Sequence, residues 1–407
     1  MLDLEAARQQ ILDALPPPAV ESVPLPDTLG RVSAADLLAP FDLPRFDNSA
    51  MDGYAVLAKD VGQARAEAPV ILQLAGCVAA GQVFAQTLKP GTCVRLFTGS
   101  PLPAGADAVV MQEDTRMETA APGSVTFLDG AKPWENIRLR GEDVKQGSLV
   151  LCAGQRITPG RLGLLAALGV KDVRVGVRPK VALLATGSEL VEPGAHDLGD
   201  QALAPGKIFE SNRLVLAAWL KSSGLRAAVQ PLTPDTLEAT RNSLQTAFAQ
   251  ADLVVTSGGV SVGEFDFVKQ AFAELGGTVA LWRISIKPGK PFVFGHWQNK
   301  FLFGLPGNPV SAAVTFLLLV RPALWRLQGA MDVLPEMATC QLAERLVNSS
   351  DRREFVRVQV DRAGRGHSAG PQASHRLMSL ANANGLVEVP PQSSIDAGTV
   401  VPVIQFG

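Results

Sequence analysis

The sequence predicts a multidomain chain of α/β and β type. It has a central α/β domain with a mostly parallel sheet, an inserted small β domain, an N-terminal helical, elongated region and a C-terminal β-barrel-like domain. Three observations carry this. Between residues 179 and 329, short apolar runs alternate with amphipathic stretches, the pattern of buried parallel strands covered by helices on both faces. Residues 45–140 hold short β-rich runs such as ILQLAGCVAA and TCVRLFTG, split by Gly and Pro turns. After residue 330 the chain returns to strand-like runs, REFVRVQVD, GLVEVP and TVVPVIQF, which suit a small barrel or sandwich.

The elements follow in chain order. MLDLEAARQQILDAL is spaced as an amphipathic helix and is stopped by Pro16 to Pro18, and a second helix is expected over 28–38. After the β-rich stretch, NIRLRGEDVKQGSLVLCAGQRITPGRLGLLAALGV reads as a strand pair leading to a short helix that returns to the N-terminal region. The expected domains are therefore 1–44 plus 141–178, the insertion 45–140, then 179–329 and 330–407. In the α/β domain the strands are expected at 181–185, 227–232, 253–257, 279–284 and 301–304, with helices at 211–222, 234–250, 265–275 and 310–327.

Composition removes several function classes. At 47% apolar residues the chain of 407 can bury several cores, and 37 Lys plus Arg against 39 Asp plus Glu leave a net charge of −2. No basic field argues for nucleic acid or an anionic membrane, so any anion site is local. The four cysteines are far apart with no CxxC, and the four histidines form no HxxxH or HExxH, which argues against zinc and a disulfide framework. The N-terminus has no signal-peptide pattern, and the apolar run 310–320 stops at Arg321, short of the roughly 20 residues a bilayer span needs. A soluble, cytoplasmic protein without membrane or nucleic-acid partners is expected.

Three expected strands run into polar, glycine-bearing loops: VALLATGSEL, LVVTSGGVSVGEFDF and FLFGLPGNPVSA. Each loop alone reads as well as a structural turn; together, at the carboxyl ends of strands, they point to one ligand crevice. Ser257, Gly258, Gly259 and Ser261 belong to the second loop, and Pro306, Gly307, Asn308 and Ser311 to the third. No GxxxxGK[ST] is present, and the nearest GxGxxA, at 364–369, lies between two strand-like runs, which argues against a P-loop or Rossmann site. In IKPGKPFVFG, Pro288 and Gly289 hold Lys287 and Lys290 close together, which makes sense with an anion between them, although two lysines on a solvated turn is the plain alternative. Arg283 is a third positive candidate. Asp52, Asp143, Glu189, Asp235 and Asp266 are isolated carboxylates in special places, and helix capping accounts equally well for Asp235. RFDNSAMDGYA, residues 45–55, reads as a shaped polar loop in which Gly53 marks a close backbone approach.

RFDNSAMDGYA, FTGSPLPAGADAVVMQED, RLRGED, TGSEL, TSGGVSVGEFDF, KPGKP and GLPGNPVSA occur in this order. The series resembles the molybdopterin molybdenumtransferase family, MoeA in bacteria and the gephyrin E domain in animals, over essentially the whole chain. The resemblance implies insertion of molybdate into the dithiolene of adenylylated molybdopterin, with Mg²⁺-dependent release of AMP, the α/β domain being the molybdopterin-binding one. Sulfur ligands would come from the substrate, so no metal-binding Cys or His cluster is needed. Carried over by motif, the catalytic set is Asp52, Thr98, Asp143, Glu189, Asp235, Asp266 and Lys287, with Asp52 and Asp266 toward Mg²⁺. Lys290, Arg283, Arg353 in RREFVRV and Ser374 in QASH join the loop residues as substrate contacts. The resemblance further implies a homodimer whose subunits share active sites, with the molybdopterin adenylyltransferase and molybdoenzyme acceptors as possible partners. The chain departs from the family's pattern at Arg283, where Lys is frequent, at Ser188, where Asp is common, and at Ala373, where Gly is common. A molybdopterin adenylyltransferase and a gephyrin-like scaffold are the alternative functions.

Overall fold

The computed structural model describes residues 1–79, 81–117, 122–194, 203–260 and 266–406. They form two compact units, one of Met1–Ala35, Ala153–Thr158 and Asp172–Gly407 and the other of Asp36–Cys152 and Pro159–Lys171.

The second unit is built on a six-stranded sheet in the order Ala108–Met111, Gly53–Val56, Thr92–Leu96, Val70–Val78, Ser124–Phe127, Thr115–Met117. Three of its strands, Gly53–Val56, Thr92–Leu96 and Ala108–Met111, are largely buried because alternate residues enter different cores. Tyr54, Val56, Cys93 and Val110 pack with Phe127, whereas Ala55, Val94, Leu96 and Val109 pack with Val78. Gly53 is needed by this sheet: a Cβ there would lie 2.1 Å from the Val110 carbonyl oxygen. Helix Pro159–Ala167 and the paired strands Leu37–Leu38 and Leu149–Leu151 complete the unit.

In the first unit, helix Leu4–Asp13 starts on Asp3, whose Oδ1 accepts from Ala6 N at 2.7 Å, and buries Leu4, Ala7 and Ile11 along one stripe. The helix expected over 28–38 does not form. Only the 3₁₀ turn Leu25–Thr28 is helical, and Gly30 then adopts φ +73°. Ser33 N donates to Gln155 O and Ala34 N to Arg174 O, so this backbone is satisfied by distant chain rather than by its own turns.

The central sheet has β1 (Val181–Ala185), β2 (Ala227–Val229), β3 (Leu253–Ser257), β4 (Thr278–Trp282), β5 (Val293–Trp297) and β6 (Lys300–Leu305) in the order β2-β1-β3-β6-β5-β4. Strands β2, β1, β3 and β6 are parallel, but β5 runs antiparallel to both its neighbours, so the sheet is mixed. The sequence reading placed no strand over 293–297. Residue alternation again fixes the layers: Val181, Leu183, Val255 and Phe303 face one core, and Ala182, Leu184, Val254 and Leu302 face the other. The chain runs from β1 outward to β2 and then back to β3 on the opposite side of β1. That reversal is a topological switch point, where open sheets leave a crevice at the carboxyl ends of their strands.

Helix Pro309–Leu327 is long and apolar enough to cross a membrane by composition, but most of it is buried inside the protein as the core helix of this domain. Beyond it, β7 (Met337–Leu342), β8 (Arg353–Val360), β9 (Arg365–Ser368), β10 (Gly385–Val389) and β11 (Val400–Gln405) run β8-β9-β7-β11-β10, and β10 pairs back onto β8. This five-stranded sheet therefore closes into a barrel around Val358, Val387 and Val403. Ile286–Lys287 pairs in parallel with the start of β8, tying the lysine loop to the barrel.

Candidate active site

A cavity of about 660 Å³ opens at the carboxyl ends of β1, β3 and β6, where Gly187, Gly258 and Gly307 line it. It gathers three acids, Glu189, Asp235 and Asp266, with three cations, Lys287, Lys290 and Arg352. Gly259, Pro306, Asn308, Ser311 and Ser374 complete the expected residues that the fold brings here. Five of the six charged groups come from loops and Lys287 from the short strand Ile286–Lys287, while the strands beneath supply the rigid frame.

The glycine pair has a structural reason closer than any ligand. Gly258 has φ +91°, and a Cβ on it would lie 2.6 Å from the Thr186 carbonyl oxygen; on Gly259 it would lie 2.8 Å from Thr186 Oγ1. The loops after β1 and β3 thus touch through these glycines. At Gly307 a Cβ would meet only the Gly258 Cα, at an ordinary 3.6 Å.

Asp235 is not a helix cap. The following helix, Leu237–Gln250, is capped by Thr236, whose side chain accepts from Ala239 N. Asp235 Oδ2 instead accepts from Ser188 N at 2.7 Å, and Ser188 Oγ accepts in return from Asp235 N at 3.0 Å. Ser188 therefore joins the loops that carry Glu189 and Asp235. Asp266 lies outside the capping position of its helix too, since Phe267 is the N-cap residue of Val268–Glu274.

Lys287 Nζ lies 3.1 Å from Glu354 Oε2, and Glu354 is buried. Lys290 is exposed and makes no ion pair among the described residues, so it holds the more available charge. Gly289, at φ +117°, brings the backbone against Thr315, where a Cβ would approach Thr315 Cγ2 to 2.6 Å. That contact fixes the turn between the two lysines.

Several expected residues lie elsewhere. Ser257 is buried behind the cavity wall, where its Oγ accepts from Asn212 Nδ2 at 2.7 Å. Arg283 stacks on Trp282 at 4.0 Å, with Lys269 Nζ also over that ring at 3.6 Å. Burial pushes the Lys269 ammonium below its ordinary range, and the Arg283 charge adds to the effect. Arg353 forms a two-pronged pair with Glu388 and also binds Glu5, so it does not line the cavity; its neighbour Arg352 does. Adjacent residues in extended chain point to opposite sides, which is why Arg352 and Arg353 of RREFVRV have different surroundings. Ser261 lies outside the described residues.

In the other unit, Asp52 and Thr98 meet. Asp52 Oδ1 accepts from both Thr98 N and Thr98 Oγ1 at 2.7 Å. The Thr98 backbone N–H, then its hydroxyl, hold the Asp52 carboxyl below the usual carboxylate range. Asp143 is exposed in the same unit.

Three residues escaped the sequence reading. Asn212 Nδ2 donates to Ser257 Oγ and to Gly307 O, both at 2.7 Å, clamping the loops after β3 and β6. Arg352 lines the cavity and anchors through Nη1 to Ile286 O at 2.9 Å. Arg357 is wholly buried, and its guanidinium donates to Ser379 Oγ, Pro371 O and Ala373 O, holding the loop that presents Ser374. Burial pushes it down to about 10, against the opposing pull of Glu354. Ser374 Oγ in turn accepts from Asn308 Nδ2 at 3.0 Å.

With this arrangement in view, three family models match the chain: the MoeA N-terminal region (domain I and II) over residues 2–169, a probable molybdopterin binding domain over 182–326, and the MoeA C-terminal region (domain IV) over 339–406. The chain belongs to the MoeA family. The molybdopterin molybdenumtransferase of Haemophilus influenzae is 38% identical, covering 100% of this chain and 99% of that protein. Molybdopterin molybdenumtransferase 2 of Mycobacterium tuberculosis is 40% identical over 94% of each. A crystal structure of the molybdopterin biosynthesis MoeA protein from Pyrococcus horikoshii OT3 superposes with a TM-score of 0.82 at 30% identity, covering 100% of both chains. The mixed central sheet and the closed C-terminal barrel are thus the MoeA fold, and the cavity lies on the matched molybdopterin binding domain, with loops of the C-terminal region contributing Arg352 and Ser374.

Proposed function

We propose that this chain is a molybdopterin molybdenumtransferase that inserts molybdate into the dithiolene of adenylylated molybdopterin and releases AMP. The observation that carries the reading is the cavity itself, which sets three carboxylates beside three cations at the switch point of a domain matched as molybdopterin-binding. Phosphates and pterin would lie along the Gly258 and Gly307 loops, where backbone N–H groups and the start of helix Pro309–Leu327 favour anions. Lys290 and Lys287 would hold molybdate, with Arg352 and Ser374 as further donors. Glu354 holds Lys287 in place, so Lys290 adapts to the oxyanion.

Among the described residues no three His, Cys, Asp or Glu groups converge into a ready metal cage. Mg²⁺ takes one or two carboxylates plus substrate phosphate and keeps several waters. Asp266 and Asp52 are the proposed protein ligands. Bound Mg²⁺ would neutralise charge developing on the pyrophosphate. Glu189 and Asp235 orient the water that attacks phosphorus, so the P–O bond breaks and AMP leaves. Transfer of the metal needs no change of oxidation state: the two dithiol protons leave with one molybdate oxygen as water, and the two Mo–S bonds take the place of that Mo=O bond.

The four-part division 1–44 plus 141–178, 45–140, 179–329 and 330–407 is part of the proposal, as is a homodimer in which Asp52 and Thr98 of one subunit complete the cavity of the other. Incubating purified protein with adenylylated molybdopterin, molybdate and Mg²⁺ should release AMP and yield cofactor that reconstitutes a cofactor-free molybdoenzyme. Absence of both products sinks the assignment. For the dimer, Asp52→Asn and Lys287→Ala subunits mixed into a confirmed heterodimer should regain activity that neither homodimer has. No rescue would put both residues in one subunit's site.

A further inference from the structure

Neither Asn212 nor Arg213 lines the active-site cavity, yet these two adjacent residues hold the loops that do. They open helix Asn212–Ser222, where the chain arrives from the short strand Ile208–Phe209. That strand pairs in parallel with Leu190–Val191; Ile208 N donates to Glu189 O and Glu210 N to Val191 O, both at 2.9 Å. The loop after β1 that carries Glu189 is thus tied to the segment leading into the helix. Arg213, which is buried, fastens it again. Its Nη2 donates to Glu192 Oε1 at 2.7 Å, its Nε to the buried Glu210 at 3.1 Å, and its Nη1 to Gln230 O just beyond β2.

Asn212 serves the other two loops. Its amide nitrogen carries two hydrogens and uses both, one on Ser257 Oγ at the end of β3 and one on Gly307 O after β6, each at 2.7 Å. Ser257 Oγ donates in turn to Pro306 O at 3.4 Å. The consecutive carbonyls of Pro306 and Gly307 therefore both turn toward Asn212, one through Ser257 and one directly. Both peptide bonds are trans, and in a trans peptide the C=O and N–H point opposite ways. The N–H groups of the same two peptides, those of Gly307 and Asn308, accordingly turn away from Asn212, and both residues line the cavity.

We propose that Asn212 is a positioning residue for the pterin nucleotide: by holding the Pro306 and Gly307 carbonyls it presents the Gly307 and Asn308 N–H groups to the substrate's phosphates. The inference rests on reading the cavity as the site of adenylylated molybdopterin. Two N–H donors set in advance bind an anionic oxygen without rearranging the loop, and that saving appears as affinity. Only an amide suits the position. Aspartate has the same shape but no donor, and its charge would face the Gly307 carbonyl. Lys287 is held separately by Glu354, so Asn212 acts on the nucleotide and not on molybdate.

Steady-state AMP release by the full-length protein tests this. Asn212→Ala should raise KM for adenylylated molybdopterin about tenfold, with kcat changed less than about threefold and the molybdate requirement at saturating pterin nucleotide unmoved. Asn212→Asp should do no better than Asn212→Ala, and adding Ser257→Ala to Asn212→Ala should cost little more, since both residues act on one clamp. An unchanged KM, or a molybdate requirement raised as much as KM, overturns the proposal. Thermal unfolding shows whether Asn212→Ala folds; where it does not, Ser257→Ala alone, which removes the Pro306 arm, should raise KM about threefold, and an unchanged KM there overturns the proposal too. Hydrogen exchange gives a readout without substrate. The Gly258 amide donates to Leu305 O between the clamped loops, and the Thr233 amide donates to Ala185 O beside the loops that Arg213 holds. Asn212→Ala should speed exchange at Gly258 more than at Thr233, and equal change at both rejects the clamp. Where the wild type releases no AMP, the functional reading fails and with it the substrate named here, while the exchange comparison still decides the clamp.

Discussion

Gly258 and Gly307 look alike in sequence, each beside a polar loop, yet they answer to different neighbours. Gly258→Ala places a Cβ 2.6 Å from the Thr186 oxygen at φ +91°. It should cost about 1 to 3 kcal/mol of stability. Gly307→Ala has ordinary contacts and should fold with nearly unchanged denaturant midpoint, so any loss of activity there reports the ligand. Equal destabilisation by the two would contradict the packing argument. Asp52 gives a second residue-scale test. Its folded carboxyl is held below the ordinary range by Thr98, so the ionised form adds stability that is present above about pH 4. That contribution is lost as pH falls through the depressed folded value. Asp52→Asn should therefore unfold slightly lower than wild type at pH 7, with the gap closing on acidification. A gap that widens toward low pH would reverse the sign and reject the Thr98 clamp as its cause.

At the level of elements, the strands were legible wherever alternation carried the signal. In VALLA, odd and even residues enter two cores, and the unbroken apolar run reads from its residues alone as a doubly covered strand. Strand β5 was missed because PFVFGHW follows KPGKP so closely that loop chemistry masked it. The false helix at 28–38 has apolar residues at suitable spacing, but its backbone partners lie at 153–157 and 172–176, beyond the reach of local pattern. Arg357 was silent for a related reason: a buried arginine on a strand looks like a solvated one until the facing loop is known. Its role makes a prediction. Arg357→Met should destabilise by about 1 to 3 kcal/mol, since Pro371 O and Ala373 O lose buried donors. Hydrogen exchange should rise at residues 371–376 more than in the remaining barrel strands. Uniform loss of protection would mean that Arg357 supports the barrel and not the loop.

On the scale of the whole molecule, ordered motifs identified the family because each sits in a loop whose position the fold fixes. Most residues read from loops after β1, β2, β3 and β6 reached the cavity. Ser257, Arg283 and Arg353 do not line the cavity, because what packs against each decides where its side chain goes. The central claim is that the cavity is where molybdate is held, with Lys290 as its adaptable anchor. The direct measurement is a molybdate titration of Lys290→Ala at fixed adenylylated molybdopterin. A charged hydrogen bond contributes about 1.5 to 3 kcal/mol, so the molybdate requirement should rise roughly ten- to a hundredfold, with pterin nucleotide affinity little changed. An unchanged molybdate requirement together with weakened nucleotide binding would contradict the claim and move the lysines to the phosphates.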